Sequence, residues 1–569
     1  MAKKRKKTAK NKRNMRHATL TRKKNTIAKF SPSLFPRNLS LSLPHLPKAL
    51  SFFLWNFALP FVLVYGIFLL HEPLLLRPLN LYDEGVSLMG AKRLLVGHIP
   101  YKDFFTIYTP LKFAWLSKVF ALYEPNIFVA RVFSFSVSLF GFTVLYFFFK
   151  RFAHPILAAI ATMSVAAFGM LSLTPTVILC LLLWFSVFLS RPASPFLPFI
   201  GGALFGILFL LRFDFGGFIG FFALLLIAFF FALRKQWKLF FTAFAKAIFA
   251  FLIVTAPVYF WIFHTGAWHD FVEQTILFPL FGDYKQLRHL PYESFQTFWT
   301  LLFEHPVSFL NLSQAFAWFF WPIPFAIFVL YWGGKTIWHF FRKTPTALIE
   351  QGMLTNALLG VSCIAGLLYA SHRSDIGHMT FLNILCSIFL FHLVFLFRQK
   401  LWGILFLPFF ALALYYPAST MFDMRAHAIL APKAQYSFFP FPFPKSPEND
   451  NLQKVLDYFD IVPVREKVFV GVKDTSRVYI NNVMLPFLLR QPVATKYHEL
   501  HTGIVTTKKV QQEIIDELQE VKHVVLWETF YCEKNKSCES TGVHDLDEYI
   551  AEHFSLVKKI GKYEIMERK

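Results

Sequence analysis

Residues 51–70 read SFFLWNFALPFVLVYGIFLL, a run with no charged side chain. A helix rises about 1.5 Å per residue, so about 20 apolar residues cross the hydrocarbon of a bilayer. Residues 240–263 have the same texture, interrupted by Lys246. In lipid such a run can satisfy its backbone only as a helix, because hydrocarbon offers no hydrogen-bond partners. Alternating strands of a membrane barrel would read differently. Outward from these two runs the pattern recurs near 128–149, 155–171, 173–190, 197–212, 215–233, 314–331, 354–370, 379–397 and 401–417. The chain therefore reads as a polytopic α-helical membrane protein of about eleven spans. Its 55% hydrophobic content and 74 Phe in 569 residues exclude an ordinary soluble enzyme.

The formal net charge of +24 would suit a nucleic-acid partner, but its distribution does not. Much of the excess lies in residues 1–24, MAKKRKKTAKNKRNMRHATLTRKK, and the rest punctuates span ends. A basic tail beside a first span sets topology and attracts anionic lipid, so membrane lipid is the expected partner and nucleic acid is not. With this tail (1–48) in the cytoplasm, the basic connections Lys150-Arg151, Arg191, Arg234-Lys235-Lys238, 335–343 and 398–400 all fall on the same side. An odd number of spans then places everything after Pro417 outside. The loop 71–127 resists, because it is predicted outside yet carries Arg77, Lys92, Arg93, Lys102, Lys112 and Lys118. Helices lying in the outer interface, with lysine stems snorkelling, resolve this. One such helix is expected over 83–97, with Asp83 as N-cap and Gly97 as stop.

The remaining boundaries follow from texture. A transmembrane domain over 49–418 carries outer loops 71–127 and 264–313. A Phe/Pro-rich linker (419–447) then leads to a small soluble α/β domain (448–569). In that domain 467–472 and 521–527 read as buried strands, and 508–520 as an amphipathic helix between them. Cys180, Cys363 and Cys386 sit in apolar runs as packing residues. Cys532 and Cys538 flank a polar loop and are candidates for a disulfide if that domain faces an oxidising compartment; two free thiols are the other reading.

On this topology the polar residues gather outside. The first loop has Asp83, Glu84, Lys102 and Asp103. The turn between the fifth and sixth spans has Arg212 and Asp214. The large loop has His264, His269, Asp270, Glu273 and Asp283, and the turn after the ninth span reads Ser371-His-Arg-Ser-Asp-Ile-Gly-His378. Carboxylates serve as bases or metal ligands, and arginine matches phosphate oxygens. Each piece has a plainer reading: solvated acidic pair or helix cap, structural ion pair, interfacial histidine. Convergence on one side is what favours chemistry.

Three stretches resemble the GT-C superfamily of membrane glycosyltransferases, in the branch of the protein O-mannosyltransferases and the lipid A aminoarabinose transferase. They are Tyr82-Asp-Glu-Gly85 followed by Gly97-His-Ile-Pro-Tyr-Lys-Asp103 with Thr109-Pro-Leu111 and Arg131; the turn Arg373-Ser-Asp-Ile-Gly-His378; and the tail with Val468-Phe-Val-Gly471, Leu488-Leu-Arg-Gln-Pro492 and Thr495-Lys-Tyr-His498. The resemblance implies an inverting transferase using a sugar carried on a polyprenyl phosphate, and a lipid, glycan or protein acceptor. It implies a multi-pass protein of a bacterial inner membrane. Carried over by position, Asp83 is the expected base, with Glu84 supporting it and Asp103 as a second acid. Arg373, His378, Arg212 and Lys102 are the expected donor-phosphate ligands. A divalent metal ion could sit on Glu84 and His372, though no spacing compels it. No Gly-rich nucleotide loop is present, and no nucleotide cofactor is expected. The competing reading is a transporter or flippase of a lipid-linked substrate, which would place ionisable groups near the middle of the bilayer.

Overall fold

The computed structural model describes residues 47–569 apart from 168–195, 234–235, 282–298, 305–307, 319–321, 331–350, 373–375, 398–406, 478–479, 501–502 and 529–539. The first long helix, α1 (Lys48–Leu76), contains a wide π turn at Leu54–Ala58 just before Pro60. Proline has no N–H and crowds the carbonyl four residues back, so the turn opens there. The polar groups around the opening find partners. Asn56 donates to the carbonyl of Phe52 at 2.7 Å, and Trp55 O accepts from Tyr146 Oη and Lys150 Nζ, both at 2.8 Å. Tyr146 and Lys150 end α4 (Ile127–Lys150), so the basic end of α4 lies beside the beginning of α1.

Between α1 and α4 lie two shorter helices, α2 (Asp83–Leu95) and α3 (Leu111–Leu122). The helical body continues through α5 (Pro155–Ala166), α6 (Leu197–Leu211), α7 (Phe213–Leu233) and α8 (Trp237–His264). A short turn of helix follows as α9 (Trp268–Val272), then α10 (Phe309–Trp318), α11 (Pro322–Phe328), α12 (Gln351–His372), α13 (Ile376–Phe397) and α14 (Leu407–Leu430). Among the described residues, α1, α4 and α8 are each long and apolar enough to cross a membrane. Shorter apolar segments occur at Pro155–Ala166, Pro198–Leu211, Leu358–Leu368 and Phe381–Phe395. The predicted stretch at 173–190 lies outside the described residues. Where α4, α5, α6, α12 and α13 pack, they bury one apolar core that includes Phe142, Phe149, Leu211, Cys363 and Phe389.

Several helix ends and loops meet at one end of this body. Arg131, near the start of α4, donates to the carbonyls of Leu75 and Arg77 at the end of α1. Thr109 donates to Leu211 O at the end of α6 at 2.6 Å, and Lys102 reaches Thr265 O after α8 at 3.3 Å. Arg425 of α14 donates to Leu69 O.

The chain after α14 forms a two-residue antiparallel pair, β1 (Lys433–Ala434) and β2 (Phe443–Pro444), then α15 (Pro447–Asp460). A four-stranded sheet follows in the order β3-β4-β6-β5, with β3 (Val468–Val472), β4 (His523–Trp527), β5 (Phe554–Ile560) and β6 (Tyr563–Arg568). The parallel β3–β4 pair is joined through α16 (Met484–Leu488) and α17 (Lys508–Leu518); α18 (Asp545–His553) leads into the β5–β6 hairpin. The strands and helix read at 467–472, 508–520 and 521–527 all form. The Phe/Pro-rich segment before them is packed: Phe438, Phe439 and Phe443 are buried, and Phe128 of α4 meets Phe439 edge-on. One core unites Val86, Met89, Phe113 and Phe120 of α2 and α3 with Phe443, Leu452, Val470, Met484 and Ile565. Gly85 permits a close approach: Met484 N donates to Leu81 O at 2.8 Å, and a Cβ on Gly85 would lie 2.5 Å from that same nitrogen.

Candidate functional site

The first loop is shaped by its own hydrogen bonds. Asn80 Oδ1 accepts from the backbone N–H of Tyr82 and Asp83, at 3.2 and 2.8 Å, so Asn80 takes the capping role that the sequence suggested for Asp83. Asp83 is instead the first residue of α2, exposed, with Asn80 Nδ2 donating to one carboxylate oxygen at 3.1 Å. A carboxylate is favoured there by the positive end of the helix. Gly97 ends the helix region with φ of 92°. Tyr101 also lies in the left-handed region, with φ of 72°, a conformation that costs a side-chain-bearing residue about 1–2 kcal/mol. Its surroundings hold it there: Tyr101 N donates to Phe104 O at 2.9 Å and its hydroxyl to Tyr108 O at 2.8 Å.

The other two acids of the loop are occupied. Both oxygens of Glu84 accept from Arg131, from Nε at 2.7 Å and Nη2 at 2.8 Å. Burial pushes the Glu84 carboxyl up, but Arg131 and Arg77 outweigh it and hold it below the ordinary range. Asp103 Oδ2 accepts from Ile99 N at 2.7 Å, closing its own turn, and its carbonyl accepts from Arg93. Lys102 is exposed and turned to Thr265 O. The large loop is pinned to this one by Gln274, which accepts from Thr106 N at 3.0 Å and donates to Tyr101 O at 2.8 Å.

The chain end completes the site. Arg93 donates to Thr495 O, and Phe105 N to Lys496 O at 3.0 Å. This carries His498 and Glu499, both fully buried, to Phe104, whose ring lies 5.6 Å from that of His498, and within the electrostatic reach of Lys112. The oxygens of Glu499 and the ring nitrogens of His498 make no well-formed hydrogen bond, with Thr106 beside the carboxylate and the Lys496 backbone beside the imidazole; the two side chains stand 3.9 Å apart. Lys112 Nζ sits over the Tyr108 ring, 3.0 Å from its centre, and does not snorkel. Lys118, one turn and a half further along α3, is exposed. Burial and the neighbouring Arg212 draw the Lys112 ammonium down, while Glu499 and Asp83 pull it back. Burial drives the Glu499 carboxyl up, against Lys112 and the nearby Thr106, and Asp83 adds to the rise. Asp83, Lys112, Arg212 and Glu499 thus form one electrostatic group at the loop end. Arg212 caps the end of α6 in extended conformation.

Arg373, Asp375, Cys532 and Cys538 lie outside the described residues, as do the side chains of His372, His378 and Asp214. Cys363 and Cys386 are buried and neighbour each other without a disulfide. Among the described residues, two groups of three bring metal-ligand atoms within 4.8 Å of one another: His269, Asp270 and Glu273, and Asp474, His544 and Asp547. Their nitrogen and oxygen donors suit a divalent ion. Glu84 belongs to neither group. Lys112 and Glu499 are the members of the site that the sequence left unmarked: the lysine read as an interfacial anchor, and the glutamate stands in a segment with no periodic pattern.

The helical body, with its loops and a C-terminal sheet gathered at one end, has a GT-C-like fold, similar to that of solved membrane glycosyltransferases. The particular likeness is to ArnT, the lipid A aminoarabinose transferase, from Cupriavidus metallidurans bound to undecaprenyl phosphate. That structure superposes with a TM-score of 0.52 at 12% identity, covering 91% of this chain and 98% of that one. The same protein in the apo state gives 0.49 at 13% identity, over 91% and 98%. An oligosaccharyltransferase from Archaeoglobus fulgidus tethered to an acceptor peptide gives 0.46 at 13% identity, over 84% and 70%. No family model and no curated protein matches the sequence.

Proposed function

We propose that the protein is a glycosyltransferase that moves a sugar from a polyprenyl-phosphate carrier to an acceptor hydroxyl at the outer face of the membrane. The observation that carries this reading is an exposed carboxylate, Asp83, within electrostatic reach of Lys112, which Arg212 also influences, at the loop end of a GT-C-like fold. A lipid-linked donor keeps its chain in the bilayer and presents its phosphosugar at the surface, where these groups would meet it.

In this reading Asp83 takes the proton from the acceptor hydroxyl as its oxygen bonds to the anomeric carbon. The bond from that carbon to the phosphate oxygen breaks, and the electron pair stays on the phosphate. Attack opposite the leaving group inverts the anomeric centre. Lys112 and Arg212 stabilise the departing phosphate, as fixed cations aimed at developing charge do. Arg373 and His378 are further phosphate ligands from the turn between α12 and α13. Glu84 holds Arg131 and shapes the loop, Asp103 closes its turn, and Lys102 fastens the large loop. His269, Asp270 and Glu273 are the residues that would hold a divalent ion, which would supply positive charge to an anionic leaving group. The chain is assigned to a bacterial inner membrane, with a cytoplasmic basic tail and an extracytoplasmic sheet.

Asp83→Asn tests the base. With a panel of polyprenyl-phosphate sugars in proteoliposomes, transfer should fall by about 100-fold or more while folding is unchanged, the range general-base loss spans. Undiminished transfer by the variant would sink the assignment.

A further inference from the structure

A cavity of about 180 Å³ opens at the seam between the helical body and the C-terminal domain, and none of Asp83, Lys112 and Arg212 lines it. Its walls include the start of α4 (Asn126, Ile127), the segment between β1 and β2 (Ser437), the end of α15 (Asp460) and the chain after α16 (Arg490, Gln491). These walls are fixed. Lys92 Nζ donates to Phe487 O and Leu489 O, both at 2.8 Å, and Gln491 Nε2 donates to Phe459 O and Val462 O at 2.8 and 2.9 Å. The charges on them are not spent: Arg490 and Asp460 are exposed, and among the described residues neither side chain forms an ion pair or a hydrogen bond. Two helix ends of opposite sign meet here. Asn126 caps α4, its Oδ1 accepting from Phe128 N at 2.7 Å, and the positive end of a helix favours an anion. Asp460 is the last residue of α15, where the negative end favours a cation and a carboxylate without one is out of place. Ile127 begins α4, a helix long and apolar enough to cross a membrane, so the cavity lies where that span meets water. Exposed apolar side chains flank the lining residues in the chain: Leu122 and Tyr123 before Asn126, Phe441 after Ser437, and Ile461 directly after Asp460, the last 83% exposed. Phe441 stands edge-on to Phe128 of α4, with ring centres 5.2 Å apart.

We infer that this cavity binds the head group of a zwitterionic bilayer phospholipid, with the phosphate at Arg490 and the start of α4 and the ammonium at Asp460. One positive and one negative unpaired side chain match a ligand that carries one charge of each sign. An anionic lipid would leave Asp460 facing a like charge. Arginine matches phosphate oxygens, and a carboxylate accepts charge-assisted hydrogen bonds from an ammonium. The exposed apolar residues beside the cavity fit acyl chains at the interface, for which a soluble phosphate ester has no use. Tyrosine at Tyr123 suits that same depth. A lipid held in this way ties the C-terminal domain to the membrane body, because its two charges meet α4 on one side and α15 on the other. The site uses none of the residues assigned to sugar transfer, so its failure would leave that reading as it stands.

The test is lipid retention by the full chain in detergent, supplied with equal amounts of phosphatidylethanolamine and phosphatidylglycerol and weighed intact by mass spectrometry. Wild type should retain phosphatidylethanolamine. Asp460→Asn should lower that retention by about two- to fivefold, the range an exposed ion pair spans, and leave phosphatidylglycerol unchanged. Arg490→Gln should lower phosphatidylethanolamine to a similar degree. Both side chains are exposed, so neither substitution disturbs a packed core. Equal retention of phosphatidylethanolamine by all three proteins overturns the inference, as does a wild type that retains none or a loss confined to phosphatidylglycerol. Glycerophosphoethanolamine, the same head group without acyl chains, should fail to displace the lipid at equal concentration. Displacement by it would overturn the bilayer as the source of the ligand.

Discussion

Arg131 grips both carboxylate oxygens of Glu84, at 2.7 and 2.8 Å, and passes its remaining donors to the carbonyls of Leu75, Arg77 and Pro78. The adjacent acid, Asp83, has no such clamp and faces outward. Neighbours in sequence therefore have separable roles, one holding the loop and one presented to the site.

That separation predicts opposite outcomes for paired variants. Glu84→Gln leaves a buried guanidinium without its counter-charge and should destabilise the protein by about 3–5 kcal/mol. Thermal unfolding in detergent should show a clear drop for Glu84→Gln and little change for Asp83→Asn. Matching melting temperatures for all three proteins would contradict the division of roles.

Gln274 makes a second fastening. It satisfies Thr106 N and Tyr101 O, two backbone groups of the first loop, from the loop after α8. Gln274→Ala leaves both buried and unpaired, which should cost about 2–4 kcal/mol. Hydrogen exchange should speed up around 101–108, and an unchanged pattern there would refute the fastening.

Gly85 has no room for a side chain against the backbone of Met484. Gly85→Ala should push α2 away from α16 and weaken the contact between the first loop and the C-terminal sheet. Limited proteolysis should then release the region after α14 more readily; a cleavage pattern like that of the wild type would argue against it.

The Glu499 carboxyl predicts a pH dependence of stability. Its affinity for a proton is raised in the folded protein, so the folded state binds more protons than the unfolded one between the ordinary carboxyl range and the raised value. Stability from this group is present at low pH and falls as pH rises through that window. Glu499→Gln lacks the loss, so its melting temperature relative to wild type should climb from pH 5 to pH 8. A constant difference would exclude a titrating Glu499.

Sidedness can be read directly. A cysteine placed at the exposed positions Lys473 or Arg477 should be labelled by an impermeant reagent in intact cells. Labelling only after lysis would reverse the proposed orientation.

Much of this protein was legible from composition and periodicity. The apolar runs at 51–70, 128–149 and 240–263 had to become helices, because lipid leaves the backbone no other partner. The strands and helix after 467 were visible because period and length are local properties. Asp83 stood out as an acid in a loop beside a first span. The sequence could not show that Phe438, Phe439 and Phe443 are core, since prolines beside aromatics look like a linker until a neighbour such as Phe128 is brought against them. Nor could it show that Glu84 belongs to Arg131 across 47 residues, or that Glu499 is fully buried near Thr106. Which carboxylate is clamped, which is exposed and which is buried depends on contacts between distant segments, and burial, which sets a charge's properties, exists only once those segments have packed.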